Sequence, residues 1–221
     1  MTINKNTRIM MIDTETTNDI DCPIVYDVGF SIFDLEGTTY AERSYVNADI
    51  FLDKNLMQYA YFVDKVPQYW EEIKAGDRKL AKWYTITREI NALMQKYNVE
   101  ILCAHNARFD YRSMHLTQRY ITTSKWRWVF PFGTFEWWDT LKMARAILKD
   151  NDDYTRFCFD NNFVTKNNRV QYTAEVIYRW LTNNVEFAEK HTGLEDVKIE
   201  RQIFEFLINE NPDFDGRLWE N

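Results

Sequence analysis

Ile9-Met10-Met11-Ile12-Asp13-Thr14-Glu15-Thr16-Thr17 is the stretch whose reading decides the fold. Its first four residues form a continuous apolar run, the pattern of a strand covered on both faces. The run ends on two acids spaced two apart. Extended residues at that spacing project to one side, so Asp13 and Glu15 are expected to leave the strand end together. Neighbouring carboxylates repel, and a divalent cation relieves the repulsion. Solvated turn residues make the same pattern, so the rest of the chain must decide.

Working outward, residues 24–33 (IVYDVGFSIF) and 40–46 read as the second and third strands. The turn Leu35-Glu36-Gly37 joins them as a hairpin. Residues 80–97 have helical periodicity, with Trp83, Thr87, Ile90, Met94 and Tyr97 on one face. Residues 99–104 (VEILCA) form another buried strand, and a helix follows from about Ala107. Asp139 is placed to cap a helix running to Leu148, with Leu141, Ala144 and Leu148 inward. Residues 172–182 and 194–208 complete the helices. Antiparallel strands come first, and strands then alternate with helices. That order predicts an α/β fold: a mixed sheet, its first three strands antiparallel, flanked by helices. With 6 Gly, 4 Pro and no repeat or linker, residues 1–221 read as a single domain.

Two further motifs join the first. Ala104-His105-Asn106-Ala107-Arg108-Phe109-Asp110 lies at the carboxyl end of a buried strand, the edge where open α/β sheets bind ligands. Asn106 is placed to cap the new helix and Phe109 to anchor it in the core. Asp110 then falls in the first turn, where a carboxylate also suits the helix dipole. In His191-Thr192-Gly193-Leu194-Glu195-Asp196, Thr192 and Glu195 have capping-box spacing, which starts a helix near Gly193. His191 then sits on a loop and Asp196 on a rigid element, a division that suits a proton-transferring base beside a fixed metal ligand.

Composition sets the limits. The chain has 221 residues, 45% hydrophobic and 16% aromatic, enough for a sizeable core. A net charge of −7 is unlike a general nucleic-acid coat, which is usually basic. Cys22, Cys103 and Cys158 are odd in number and lack a C-x-x-C pair, which argues against a disulfide framework or zinc site and suits a reducing cytoplasm. Residues 1–8 lack the order of a signal peptide, and no apolar stretch reaches the length of a membrane span. One stretch is locally basic. Arg108, Arg112, Arg119, Lys125 and Arg127 face a single acid, Asp110, between residues 107 and 135. Trp126, Trp128, Phe130, Phe132 and Phe135 are interleaved, a mixture that suits backbone tracking and base stacking, or equally a packed loop with a solvated rim.

These motifs together resemble the DEDDh 3′–5′ exonucleases, the superfamily of polymerase proofreading subunits with a ribonuclease H-like fold. Asp13 and Glu15 in IDTETT resemble the first family motif, Asp110 in HNARFD the second, and His191 with Asp196 the third. Asp139-Thr140-Leu141 resembles the D-T-L that often opens a helix between the second and third. Asn18 stands where many members have Gly; Asn tolerates the left-handed backbone such a turn uses. Residues 51–79 and 151–171 fall outside the minimal family pattern. The wording is closest to stand-alone bacteriophage or prophage members, which implies a bacterial or phage-infected host cytoplasm.

The resemblance implies two divalent cations, Mg²⁺ or Mn²⁺. Asp13, Glu15 and Asp196 would hold one; Asp13 would bridge to the second, supported by Asp110. His191 would take a proton from the attacking water, releasing nucleoside 5′-monophosphates from DNA 3′ ends. Thr16 and Asn106, inside the first two motifs, are expected to touch substrate, together with Lys125, Trp126 and Arg127. Single-stranded or frayed 3′ ends are the expected partners, DNA ahead of RNA. The alternatives are an exoribonuclease, a non-catalytic nucleic-acid-binding module on the same fold, and a phosphatase of small nucleotides.

Overall fold

The computed structural model describes residues 3–125, 128–130 and 135–219. Its centre is a six-stranded mixed sheet. Strands β1 (Ile9–Thr17), β2 (Ile24–Phe33) and β3 (Thr39–Asn47) form an antiparallel meander. Three short strands extend it in parallel pairing: β4 (Lys79–Ala81) beside β3, β5 (Ile101–Ala104) beside β1, and β6 (Glu136–Asp139) beside β5. The order across the sheet is β4-β3-β2-β1-β5-β6. The β2–β3 turn is held by Asp34, whose Oδ1 accepts the N–H groups of Glu36 and Thr38, both at 3.0 Å.

Side-chain alternation assigns the two faces. Met10, Ile12 and Leu102 pack under α4 (Trp83–Lys96) and α5 (Ala107–Ile121), against Ile90 and Met114. Ile9, Met11 and Ile101 pack on the opposite side, under α6 (Thr140–Ile147), α7 (Asp152–Asp160), α8 (Ala174–Thr182) and α9 (Gly193–Glu210). The stretch after β3 adds its own small core. Helices α1 (Ala48–Phe51), α2 (Lys54–Met57) and α3 (Val66–Ala75) gather Phe51, Met57 and Tyr69 against Tyr26 of β2. No helix among the described residues is long and apolar enough to cross a membrane.

Several sequence expectations need correcting. β1 does not stop at Ile12 but runs on to Thr17, with a register shift between Glu15 and Thr16. β4 takes the first residues expected of the helix at 80–97, which begins only at Trp83. The N-cap Lys82 makes no side-chain capping bond. The Trp83 N–H is instead capped by Asp49 Oδ2 at 2.9 Å, from a distant part of the chain. β6 and the helices α3 and α7 were not anticipated. Asn18 does adopt a left-handed backbone, with φ 73°.

Candidate active site

β5 pairs with β1 only as far as Met11, so the β5-side edge of β1 is open beyond that point. A cleft of about 1100 Å³ forms there, lined by Asp13, Glu15, Asp110, His191 and Asp196. Asp13 and Glu15 share the parity of Ile9 and Met11 and so face the side covered by α9. Thr14 faces the α5 side, where its hydroxyl donates to Asp110 Oδ1 at 2.8 Å. Asp110 reaches the cleft because the chain leaves β5 through a left-handed Asn106 (φ 68°) straight into α5. The Asn106 side chain makes no capping bond. Its N–H donates to Asp139 Oδ1 at 3.0 Å, and the same oxygen caps α6 through Leu141 N–H at 2.9 Å.

α9 is set down on the sheet backbone itself. A Cβ on Gly29, the β2 residue opposite Asp13, would lie 2.0 Å from the carbonyl carbon of Gly193. A Cβ on Gly193 would lie 2.4 Å from Gly29 N and 3.1 Å from Asp13 O. The Gly193 N–H donates to the buried Asp27 Oδ2 at 3.0 Å. The expected capping box is absent. Among the described residues the Thr192 hydroxyl has no hydrogen-bond partner, and Glu195 pairs outward with Lys190 and Lys198. Asp196 closes the turn instead, its Oδ2 accepting the Thr192 N–H at 2.8 Å.

The donor set can hold a divalent cation. One ligand atom each of Glu15, His191 and Asp196 lies within 4.8 Å of the others. Asp196 Oδ1 is buried without a hydrogen-bond partner among the described residues, a costly state that an ion would relieve. Burial pushes all the acids up. Asp13 is raised well above the carboxylate range by burial, then by the charges of Glu200 and Asp110. Glu15 is raised by burial and by Asp27. Burial raises Asp110 and Asp196 to about 7 each. The His191 imidazole is moved the other way, by burial and by the Lys65 ammonium, which keeps it neutral and able to accept a proton near pH 7.

Two acids in the cleft were not singled out in the sequence. Glu200 is 4% exposed and accepts the His105 N–H at 3.3 Å. It follows Asp196 by four residues on one helix, and that spacing is the signal that was available. Glu189 also lines the cleft, with its carboxyl raised to about 8 by burial and by Asp196. Arg145 of α6 and Arg169 of a tight hairpin closed by the Val164–Val170 bridge also line the cleft. Neither guanidinium makes an ion pair among the described residues. Phe109 was expected in the core but is half-buried and lines the cleft. Thr16 is half-buried in β1 past the register shift and does not line the cleft. Lys125 is exposed and likewise outside it. Trp126 and Arg127 lie outside the described residues.

These shifts predict how the metal-free protein responds to pH. Asp110 and Asp196 are raised in the fold to about 7, against about 4 in the unfolded chain. Between those values the folded state holds more protons, so stability falls as pH rises. His105 acts oppositely. Burial lowers it to about 4, so its neutral ring costs stability as pH falls below about 6.5. Several acids outweigh one histidine. The melting temperature with chelator is therefore expected to drop from pH 5 to 8, and saturating Mg²⁺ to flatten the slope. A slope that persists with Mg²⁺ would assign the effect to net charge instead.

No protein-family model matches the sequence, and no curated protein is similar to it. Solved structures do share the fold. E. coli exonuclease I in complex with a dA16 oligonucleotide superposes with a TM-score of 0.62 at 14% identity over 93% of this chain. Exonuclease I from Methylocaldum szegediense gives 0.61 at 16% identity over 94%. Cell-death related nuclease 4 gives 0.56 at 10% identity over 92% of this chain and 64% of its own. The chain spans only 41–42% of the exonuclease I chains. At these identities the likeness establishes a shared fold: a mixed sheet of three antiparallel and then parallel strands, flanked by helices.

Proposed function

We propose that this chain is a divalent-cation-dependent 3′–5′ exonuclease acting on single-stranded or frayed DNA ends. The observation that carries the reading is the meeting of Asp13, Glu15, Asp110, Asp196 and His191 in one cleft, with a buried Asp196 oxygen left unpartnered among the described residues. Asp13, Glu15 and Asp196 would hold one ion, and Asp13 with Asp110 a second. When bound, such ions stabilise the attacking and leaving oxygens of an in-line displacement. His191, neutral near pH 7, takes the proton of the attacking water. Arg145 and Arg169, which line the cleft, hold backbone phosphates, and Phe109 offers a ring to a base. The oligonucleotide in the E. coli exonuclease I structure supports DNA as the substrate. Free cysteines fit a cytoplasmic setting.

The test is digestion of 5′-labelled single-stranded DNA, duplex DNA and matched RNA with Mg²⁺ or Mn²⁺. The expected result is a ladder shortening from the 3′ end of single-stranded DNA, abolished by chelator. His191→Ala should lower the turnover number with little effect on metal affinity. Replacing Arg145 and Arg169 by Ala should weaken binding and flatten its salt dependence, by about one unit of slope for each phosphate no longer neutralised, whereas Lys125→Ala should not. Faster digestion of RNA would reassign the substrate. Internal cuts, or no cuts with any substrate, would overturn the reading.

A further inference from the structure

We infer that Phe62, carried by the 51–79 stretch, is the positioning residue for His191; this rests on the reading of His191 as the base. The two rings stack with centroids 4.3 Å apart and planes 12° from parallel. The same imidazole lies within 4.8 Å of the Glu15 and Asp196 carboxylates. The Glu189 carboxyl lies 3.7 Å from its Nδ1, too long for a hydrogen bond. Its backbone is left-handed at φ 49°, a conformation that costs a non-glycine residue energy and persists only where surroundings enforce it. An imidazole without a hydrogen bond would otherwise sample several rotamers. A flat aromatic partner removes that freedom while leaving both ring nitrogens unblocked.

Phe62 is itself held. Tyr61 packs edge-on against it at 4.8 Å, and the Lys65 ammonium sits 4.7 Å from its ring centroid. Lys65 also donates to the carbonyl of Lys190, tying the platform to the residue before the histidine. The second tie is deeper. Arg78, at the end of the same stretch, donates to both Asp27 oxygens at 2.7 Å, and the Tyr69 hydroxyl donates to Asp27 at 2.8 Å. Asp27 accepts the Gly193 N–H, two residues past the histidine. One buried carboxylate therefore registers the Phe62 platform and the His191 loop against each other. On this account residues 51–79 belong to the catalytic apparatus.

The test has a structural and a kinetic arm. With 3 histidines in the chain, the ring protons are few, and His191 is assigned by the resonance missing in His191→Gln. In the metal-free protein, the stacked His191 ring protons should lie upfield and move downfield in Phe62→Leu, with those of His105 and His115 unchanged. In the digestion assay, Phe62→Leu and Phe62→Ala should lose on the order of ten- to a hundredfold in turnover number at nearly constant KM. Phe62→Tyr should restore it. If Phe62→Ala melts early, Phe62→Leu, which keeps apolar volume without a flat face, carries the comparison. A His191 resonance indifferent to Phe62 would overturn the inference, whatever the protein's activity. A raised KM with unchanged turnover would also overturn it, making Phe62 a substrate contact.

Discussion

Asp13→Asn is expected to abolish turnover and, without metal, to make the protein more stable. Asp13 stands where the acids converge: its carboxyl is raised first by burial and then by the charges of Glu200, Asp110, Glu15 and Asp196. Replacing it by an amide that never ionises removes the cost of burying this carboxyl among other acids, a cost that the unfolded chain, with its acids far apart, never bears. The same change removes a carboxylate charge that would help to hold the ions. Loss of an ion that stabilises developing charge costs several kcal/mol, about a thousandfold or more in rate. In the wild type, a cation that binds only the folded form stabilises it by about 2.7 kcal/mol at a hundredfold excess over its dissociation constant. Thermal scans should therefore cross over. With chelator the variant melts above the wild type; with saturating Mg²⁺ or Mn²⁺ the wild type gains most and the variant little. A wild type unmoved by metal at concentrations that support digestion would show that the acids do not form one shared site.

Gly29→Ala should be nearly as damaging, though it touches no charged group. The added methyl would be placed 2.0 Å from two backbone atoms of the first turn of α9, Gly193 C and Leu194 N. Backbone cannot swing aside as a side chain can, so α9 must lift off β2. Overpacking of this kind costs about 1–3 kcal/mol. The lift carries Asp196 away from Asp13, and a displacement near 1 Å is enough for about a hundredfold loss of rate. Gly193→Ala should reproduce the effect from the other side. Gly37→Ala is the control: the turn has φ 92° and no atom within 4 Å, so it should lose some stability and keep its activity. Activity retained in Gly29→Ala would show that α9 need not approach the sheet so closely.

What the sequence by itself determined was local. The apolar run at 9–12 marked a central strand, the period of two sent Asp13 and Glu15 to one side, and the helical period marked the inward face of α4. These patterns are legible because strand and helix geometry repeat over a few residues. His191 and Asp196 were also placed correctly relative to the start of α9, although the cap proved to be Asp196 and not Thr192 with Glu195. The tertiary structure alone decided the rest. Trp83 N–H is capped by Asp49 from 34 residues away, so the start of α4 had no local mark. β6 exists because β5 offers it a parallel edge, beside a stretch whose aromatic residues suggested a binding loop. Asp27, unremarkable in a strand, holds Gly193 from 166 residues away. Phe62 and Arg78 act on the His191 loop through rings and a carboxylate that no sequence spacing connects. The physical reason is range: backbone periodicity is fixed by neighbours along the chain, whereas burial, charge repulsion and ring stacking are fixed by neighbours in space.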